Sequence, residues 1–410
     1  MSNKIRAIDL FAGCGGLMDG FEQSGHYHTV AAVEWEKAPC ANLETRLRDK
    51  WGYADAGSRV LRFDIQRTDE LFNGWDDPEY GTSDGLDRLV SAEGGIDVII
   101  GGPPCQAYSI AGRVRDENGM RDDYRNYLFE SYLKVVDRYK PKAFVFENVP
   151  GMLSAKPGDF PIIDVIQKSF EDAGYCLLPD LRDAVLDFTE YGVPQNRKRV
   201  IIFGVRKEFF GDKSEQVVED FYKKALPRYK VSKKSTVRDA IADLPKLYPL
   251  GEDQKYEGRR IAHSLPEPFV ANHIARWQSN RDMDTFRLLT TDIESGRYEY
   301  VTAEALKALY TKVTGKTSNV HKYHVLRWDE PSNLIPAHLY KDGLRHIHPD
   351  SEQLRTITVR EAARLQTFAD DYIFDGSNVE LYKMIGNAVP PLMAKCLANA
   401  VNDVLHEYLF

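Results

Sequence analysis

Apolar residues in the first half of the chain come in short blocks separated by longer stretches of helical spacing. Blocks at 5–10, 29–33, 96–100, 143–146 and 200–205 have strand length. Strand blocks alternating with helical stretches are the signature of βαβ units, so an α/β fold with a mostly parallel sheet is predicted. After Lys207 this periodicity is lost. Residues 207–354 are irregular and rich in charge, His, Tyr and Asn, which marks a second domain. Regular spacing returns at Thr358-Val359-Arg360-Glu361, a capping box that opens a helix with Ala362, Leu365 and Phe368 on one face. A last helix starts after Pro390-Pro391 and carries Met393, Leu397, Ala400, Val401 and Val404 at helical spacing. It is expected to pack back on the first domain. The predicted division is residues 1–206 plus 355–410 against residues 207–354.

Composition narrows the class. A chain of 410 residues with 43% hydrophobic content has enough apolar surface for two or three cores. No apolar run approaches the roughly 20 residues of a membrane helix, and Met1-Ser2-Asn3-Lys4 lacks a signal-peptide core. A cytoplasmic location without membrane association is expected. The five cysteines, Cys14, Cys40, Cys105, Cys176 and Cys396, are scattered without C-x-x-C spacing, which argues for free thiols and against disulfides or zinc. His346 and His348 have metal-like spacing, but with no partnering cysteine or acid motif they are read as structural. The net charge of −8 discourages nucleic-acid binding only if charge is even. It is not. Residues 222–238 hold Lys223, Lys224, Arg228, Lys230, Lys233, Lys234 and Arg238 with no acid, and two interleaved tyrosines. Composition fits a phosphate-tracking segment and a solvated linker equally well. Residues 69–93 are acidic and interspersed with Gly, Ser and Pro, as in a surface insertion.

Two strand ends carry candidate chemistry. Asp9-Leu10-Phe11-Ala12-Gly13-Cys14-Gly15-Gly16 stands where the first strand turns into a helix, and its glycines permit close approach of a ligand to backbone. Met18 occupies the place of the third glycine of a dinucleotide fingerprint, so no pyrophosphate is expected. Glu34, at the end of the second strand, is placed to accept ribose hydroxyls, and Trp35 either stacks on adenine or packs in the core. An acid for ribose, an aromatic wall and no phosphate site suit S-adenosylmethionine better than NAD. Further along, Pro103-Pro104-Cys105-Gln106 sets a thiol on a stiff turn past a strand, and Glu147-Asn148-Val149 follows the next strand. A nucleophile and an acid are thus expected on one rim.

Taken in order, these motifs make the chain resemble the C5-cytosine DNA methyltransferase family. Asp9 to Gly16 resembles its cofactor loop, Glu34-Trp35 its ribose and adenine contacts, and Phe63-Asp64-Ile65 its adenine-amino contact. Gly102-Pro103-Pro104-Cys105-Gln106 resembles the nucleophile loop, with Tyr108 where Phe is usual. Glu147-Asn148-Val149, Gln195-Asn196-Arg197-Lys198-Arg199, Arg360-Glu361-Ala362-Ala363-Arg364-Leu365-Gln366 and Gly386-Asn387-Ala388-Val389-Pro390 complete the series. The spacing around Asp64 is longer than the compact family layout, partly through the acidic insertion.

The resemblance implies a Rossmann-like S-adenosylmethionine-dependent methyltransferase sheet with a smaller target-recognition domain at 207–354. It implies Cys105 as the thiolate that adds to C6 of a flipped cytosine, and Glu147 as the group facing N3 and the exocyclic amine. Arg197 and Arg199 are candidate stabilisers of the thiolate, a surface salt bridge being the alternative for one of them. Phe11, Gly13, Gly15, Gly16, Glu34, Trp35, Asp64, Ile65, Pro103, Asn387 and Ala388 are assigned to the cofactor, with no metal; Asn387 serves equally well if it only orients its loop. Gln106, Ser109 and Arg113, in or beside a loop at 109–125 that would close behind the base, are assigned to DNA with Lys233 and Lys234. The expected partners are double-stranded DNA and a cognate restriction endonuclease. A monomer in a bacterial cell, or encoded by a phage, is expected. A tRNA-modifying relative and a catalytically silent nucleic-acid binder are the alternatives; the Cys-Phe-Thr element of the former is not found, and intact Cys105, Glu147 and Arg199 count against the latter.

Overall fold

The computed structural model describes residues 4–104, 128–156, 161–341 and 343–409. Cys105, Gln106, Ser109, Arg113 and the predicted closing loop at 109–125 lie outside them. The described chain forms two compact units, residues 1–192, 197–233 and 388–410 in one, and residues 193–196 and 234–387 in the other.

The first unit is built on an eight-stranded sheet. Its strands are β1 (Ile5–Leu10), β2 (Tyr27–Glu34), β3 (Val60–Arg62), β6 (Val98–Gly101), β7 (Ala143–Asn148), β8 (Tyr175–Cys176), β9 (Val185–Asp187) and β10 (Lys198–Arg206). A separate hairpin, β4 (Trp75–Asp77) with β5 (Gly81–Ser83), intervenes. The order is β3-β2-β1-β6-β7-β10-β8, with β9 also paired to β10. The five strands from β3 to β7 are parallel, whereas β10 runs antiparallel to β7, β8 and β9. The sheet is therefore mixed at one side, which the apolar block at 200–205 could not reveal because direction depends on the connection.

Strands β1, β6 and β7 are buried along almost their whole length, as strands covered on both faces must be. From β1 the chain winds outward to β2 and β3, then restarts on the other side at β6. The reversal opens a crevice at the carboxyl ends of β1 and β6, where α/β sheets hold ligands. The helix Pro391–Leu409 belongs to this unit and packs on the helix Gly16–Gln23 as expected. A Cβ at Gly20 would collide with Ala394 and the Pro391 carbonyl, so only glycine permits this approach.

Two expectations change here. Residues 69–93 are not a surface insertion alone: the helix Thr68–Asn73, the hairpin and the helix Gly85–Ala92 send Leu71, Phe72, Trp75, Leu86 and Val90 into the main core. Acidic composition hid five well-spaced apolar anchors. Residues 207–233 also pack within the first unit, where the buried Tyr222 hydroxyl donates to the Ile201 carbonyl and accepts from the Phe203 amide.

The second unit combines the hairpin β11 (Pro249–Tyr256) and β12 (Arg259–His263) with the helices Asn280–Glu294, Ala303–Thr314, Val359–Leu365 and Asn378–Asn387. Phe286, Leu289, Leu306, Leu309, Tyr323, Val325 and Ile347 form one of its cores. The Thr358 capping box is present, although the helix stops at Leu365 and Phe368 lies beyond it, its amide bonded to Ala363 after Thr367 turns with φ 66°. Segments 355–387 thus group with the second unit. No helix among the described residues is long and apolar enough to cross a membrane.

Candidate active site

All five parallel strands deliver a candidate residue at their carboxyl ends: Phe11 after β1, Glu34 in β2, Asp64 after β3, Pro103 after β6 and Glu147 in β7. Neighbouring register explains the convergence. Leu10 pairs with Val33 and Gly101, Gly101 with Phe146, and Glu34 with Arg62.

The cofactor side centres on Glu34. Its Oε2 accepts from the Gly13 amide at 2.9 Å, and its Oε1 accepts from the amides of Trp35 and Glu36, both at 2.8 Å. A carboxylate has about four acceptor positions, so one on Oε2 is left for an outside hydroxyl. Burial raises the Glu34 carboxyl above its ordinary value, against the pull of these three amides. Phe11 and Gly13 turn through positive φ of 58° and 55°, and a Cβ on Gly13 would meet nothing within 4 Å, so the loop faces open space there. Gly15 and Gly16 face packing instead: a Cβ would strike Leu43 at the first and the Val389 carbonyl at the second. Trp35 is 50% exposed, which rules out the core-packing alternative. Asp64 is half-buried, its Oδ1 accepting from the Gln66 amide at 3.0 Å, and Ile65 is buried. Ala388 is buried in the first unit, whereas Asn387 ends a helix of the second and is exposed. The groups of the first unit fit an adenosine-bearing cofactor: one hydroxyl acceptor, one uncovered indole and no cationic side chain among them.

The reaction side centres on Glu147, which is 8% exposed. Its Oε1 pairs with Arg199 Nε at 2.8 Å, both side chains being largely buried. A Cβ on Gly102 would stand 3.0 Å from Glu147 Oε2, so glycine lets the chain leaving β6 pass the carboxylate. The adjacent Asn148 donates from Nδ2 to the Pro103 carbonyl at 3.4 Å, while its Oδ1 accepts from the Val149 amide. Gly102 and Asn148 stood in the quoted motifs without a role; the close contact that assigns one exists only between strands. Arg199 also donates to the Lys198 carbonyl. Arg197 is 2% exposed and donates from Nη2 to the Ala388 carbonyl at 2.9 Å, so the structure pairs Arg199, not Arg197, with Glu147.

Gln195 had no role beyond its motif. In the second unit it is fully buried, donating to the Leu365 carbonyl and Gln366 Oε1 and accepting from the Ile335 amide. Cys14, Cys40, Cys176 and Cys396 are free and buried, and burial pushes their thiols up, Cys396 to about 11. All four are poor nucleophiles. His346 and His348 bond to the Leu334 carbonyl and the Asp350 amide, respectively, in structural roles.

The basic run at 222–238 is largely self-neutralised. Lys223, Lys224, Arg228, Lys230 and Arg238 pair with Glu219, Asp220, Asp403, Glu190 and Asp329. Lys233 and Lys234 are exposed and have no ion pair among the described residues. Tyr222 packs against the main core with its hydroxyl bonded to the Ile201 carbonyl, and Tyr229 bonds to Asp403, so neither tyrosine is a stacking platform.

Residues 5–403 match the family model described as C-5 cytosine-specific DNA methylase. The chain is 36% identical to the type II methyltransferase M.Bpa9945I of Bacillus paralicheniformis, over 98% of this chain and 99% of that protein. It is 30% identical to the type II methyltransferase M.AgeI of Thalassovita gelatinovora, over 97% and 99% respectively. Among solved structures, a DNA modification methyltransferase encoded within an E. coli prophage matches with a TM-score of 0.60 at 22% identity, covering 98% of this chain and 100% of that one. The Dnmt2 methyltransferase of S. pombe matches with a TM-score of 0.55 at 16% identity, covering 99% and 100%. The chain belongs to the C-5 cytosine-specific DNA methylase family and is a DNA (cytosine-5-)-methyltransferase.

Proposed function

We propose that the protein methylates C5 of one cytosine in a specific duplex sequence, with Cys105 as nucleophile, Glu147 as the base-polarising acid and Arg199 as the partner that holds Glu147. The buried Glu147–Arg199 pair, set against Gly102 at the carboxyl edge of the sheet, carries this reading. C5 of cytosine is a poor nucleophile until a group adds to C6. The Cys105 thiolate forms a bond to C6, and Glu147 at N3 and the exocyclic amine draws electron density off the ring. After methylation, loss of the C5 proton restores the ring double bond and expels the thiolate. S-adenosylmethionine, implied by the family, supplies an electrophilic methyl group. Glu34 would hold its ribose, Trp35 its adenine face, and Phe11, Gly13, Asp64 and Ile65 the rest of the adenosine end. Arg197 would support this rim by tying the segment that enters β10 to Ala388.

A base inside a duplex cannot meet these groups, so the target is flipped out at a cost of a few kcal/mol in stacking. Gln106, Ser109 and Arg113 would contact the duplex around the gap. Target recognition would lie within 207–354, most of which belongs to the second compact unit, with Lys233 and Lys234 on phosphate. The relatives are named type II methyltransferases, which supports pairing with a restriction endonuclease of the same specificity in a bacterial or phage setting. Bisulfite sequencing of DNA from cells expressing the protein tests base and sequence context together. Protected cytosines should fall in one short sequence and vanish with Cys105→Ala, while purified Cys105→Ala still binds duplex. Turnover retained by Cys105→Ala would end the covalent reading.

A further inference from the structure

Asp64 and Ile65 follow β3, a strand of three residues at the edge of the sheet that is paired only with β2. So short an edge strand gives little support to a loop that must hold a binding group in one place. We propose that the hairpin β4–β5 is an accessory brace of the cofactor site, fixing the segment that carries Asp64, with Tyr80 as its central positioning residue. This rests on the cofactor reading of Glu34 and Asp64 given above.

The hairpin grips that segment on both sides of Asp64. Before it, Arg62 donates from Nη1 to the Glu79 carbonyl at 2.6 Å and lies 5.1 Å over the Tyr80 ring. After it, Arg67 donates from Nη1 to Asp77 Oδ2 at 2.7 Å. Between them Phe63 stacks on Trp75 with centroids 4.0 Å apart, meets Tyr80 edge-on at 5.3 Å, and has Arg67 over its ring at 4.7 Å. The Phe63 amide donates to the Glu34 carbonyl at 3.0 Å, so the braced segment is tied directly to the ribose-binding strand. The hairpin is itself well defined. Asp77 Oδ1 accepts from the amides of Glu79 and Tyr80, and a Cβ on Gly74 would crowd the Ser83 carbonyl and Asp84 at its base. The rings of Tyr80 and Trp75 thus supply the lateral support that a further strand would give elsewhere in a sheet.

Equilibrium titration with S-adenosylhomocysteine tests the brace without turnover. Tyr80→Ala should weaken binding about tenfold, the size of a lost neighbour coupling, with cofactor-free duplex affinity unchanged. Tyr80→Phe keeps the ring and should bind like the wild type. If Tyr80→Ala does not fold, Asp77→Ala loosens the same hairpin from its outer end and should weaken binding in the same selective way. Wild-type affinity in the folded alanine variant overturns the proposal. So does a parallel loss of cofactor binding, duplex binding and melting temperature, which would mark a merely structural role. Glu34→Ala separates the two readings: if it also binds normally, the cofactor site itself is misassigned, whereas weakened Glu34→Ala beside unaffected Tyr80→Ala rejects the brace alone.

Discussion

Single side chains at this site act through partners that the linear motif does not name. Glu147 is nearly buried and, among the described residues, pairs with Arg199, so removing the guanidinium takes away that compensation for its charge. Arg199→Met should lower methyl transfer by roughly 10²-fold or more while cofactor affinity stays close to normal, because electrostatic support of the reacting base is lost and the adenosine end is untouched. Arg199→Lys should recover part of the loss, since it restores charge without the planar fork. Single-turnover rates with saturating duplex measure this. Wild-type rates in Arg199→Met would show that Glu147 needs no partner. Arg197, although two residues away and just before β10, is occupied with the Ala388 carbonyl, so the two arginines have separate partners.

At the scale of elements, the strand ends were legible because glycine and proline punctuate them. The hairpin β4–β5 was not, because its three-residue strands carry no alternation and its acids masked Trp75 and Tyr80. The segment 321–348 has a pH dependence that its sequence does not announce. Burial lowers His324 to about 4 and both His346 and His348 to about 3, and His263 on β12 is lowered to about 4 for the same reason. These rings are neutral in the folded unit, and each takes up a proton near pH 6.5 once unfolded. Their contribution is therefore neutral above about pH 6.5 and destabilising as pH falls toward 4, at about 1.4 kcal/mol per pH unit for each ring. Hydrogen exchange of peptides from 321–348, corrected for intrinsic rates, should show protection falling between pH 7 and 5. Constant protection would mean that the rings titrate normally. Glu361 leaves this window unchanged: burial alone would raise it, yet the Arg355 guanidinium holds it below the usual carboxylate range, so the stability it contributes is lost only at lower pH.

For the whole molecule, the net charge of −8 means that contact with a polyanion depends on local clusters of cations. Five of the seven bases at 222–238 are spent on acids of the same chain, so Lys233 and Lys234 are the strongest candidates for phosphate contact in that run. Replacing both by Ala should flatten the dependence of log affinity on log salt by about 0.9 per lost contact. Replacing Lys223 and Lys230 should leave the slope as it was. Fluorescence anisotropy over a range of salt concentrations decides between them, and an unchanged slope for the Lys233/Lys234 variant removes these residues from the interface.

What the amino-acid sequence determined by itself is the family and an α/β class with a mostly parallel sheet, and it named the candidate reacting groups. Each depends on short-range patterns: apolar blocks of strand length, a glycine loop, Pro-Pro-Cys and Glu-Asn at strand ends. Tertiary structure decided everything that depends on which distant residues become neighbours. It paired Glu147 with Arg199, turned Arg197 to Ala388, explained Gly16 by the Val389 carbonyl, neutralised most of the basic run, and drew an acidic insertion around Phe63. Such contacts span tens to hundreds of residues, and the local preferences of a chain carry no record of them.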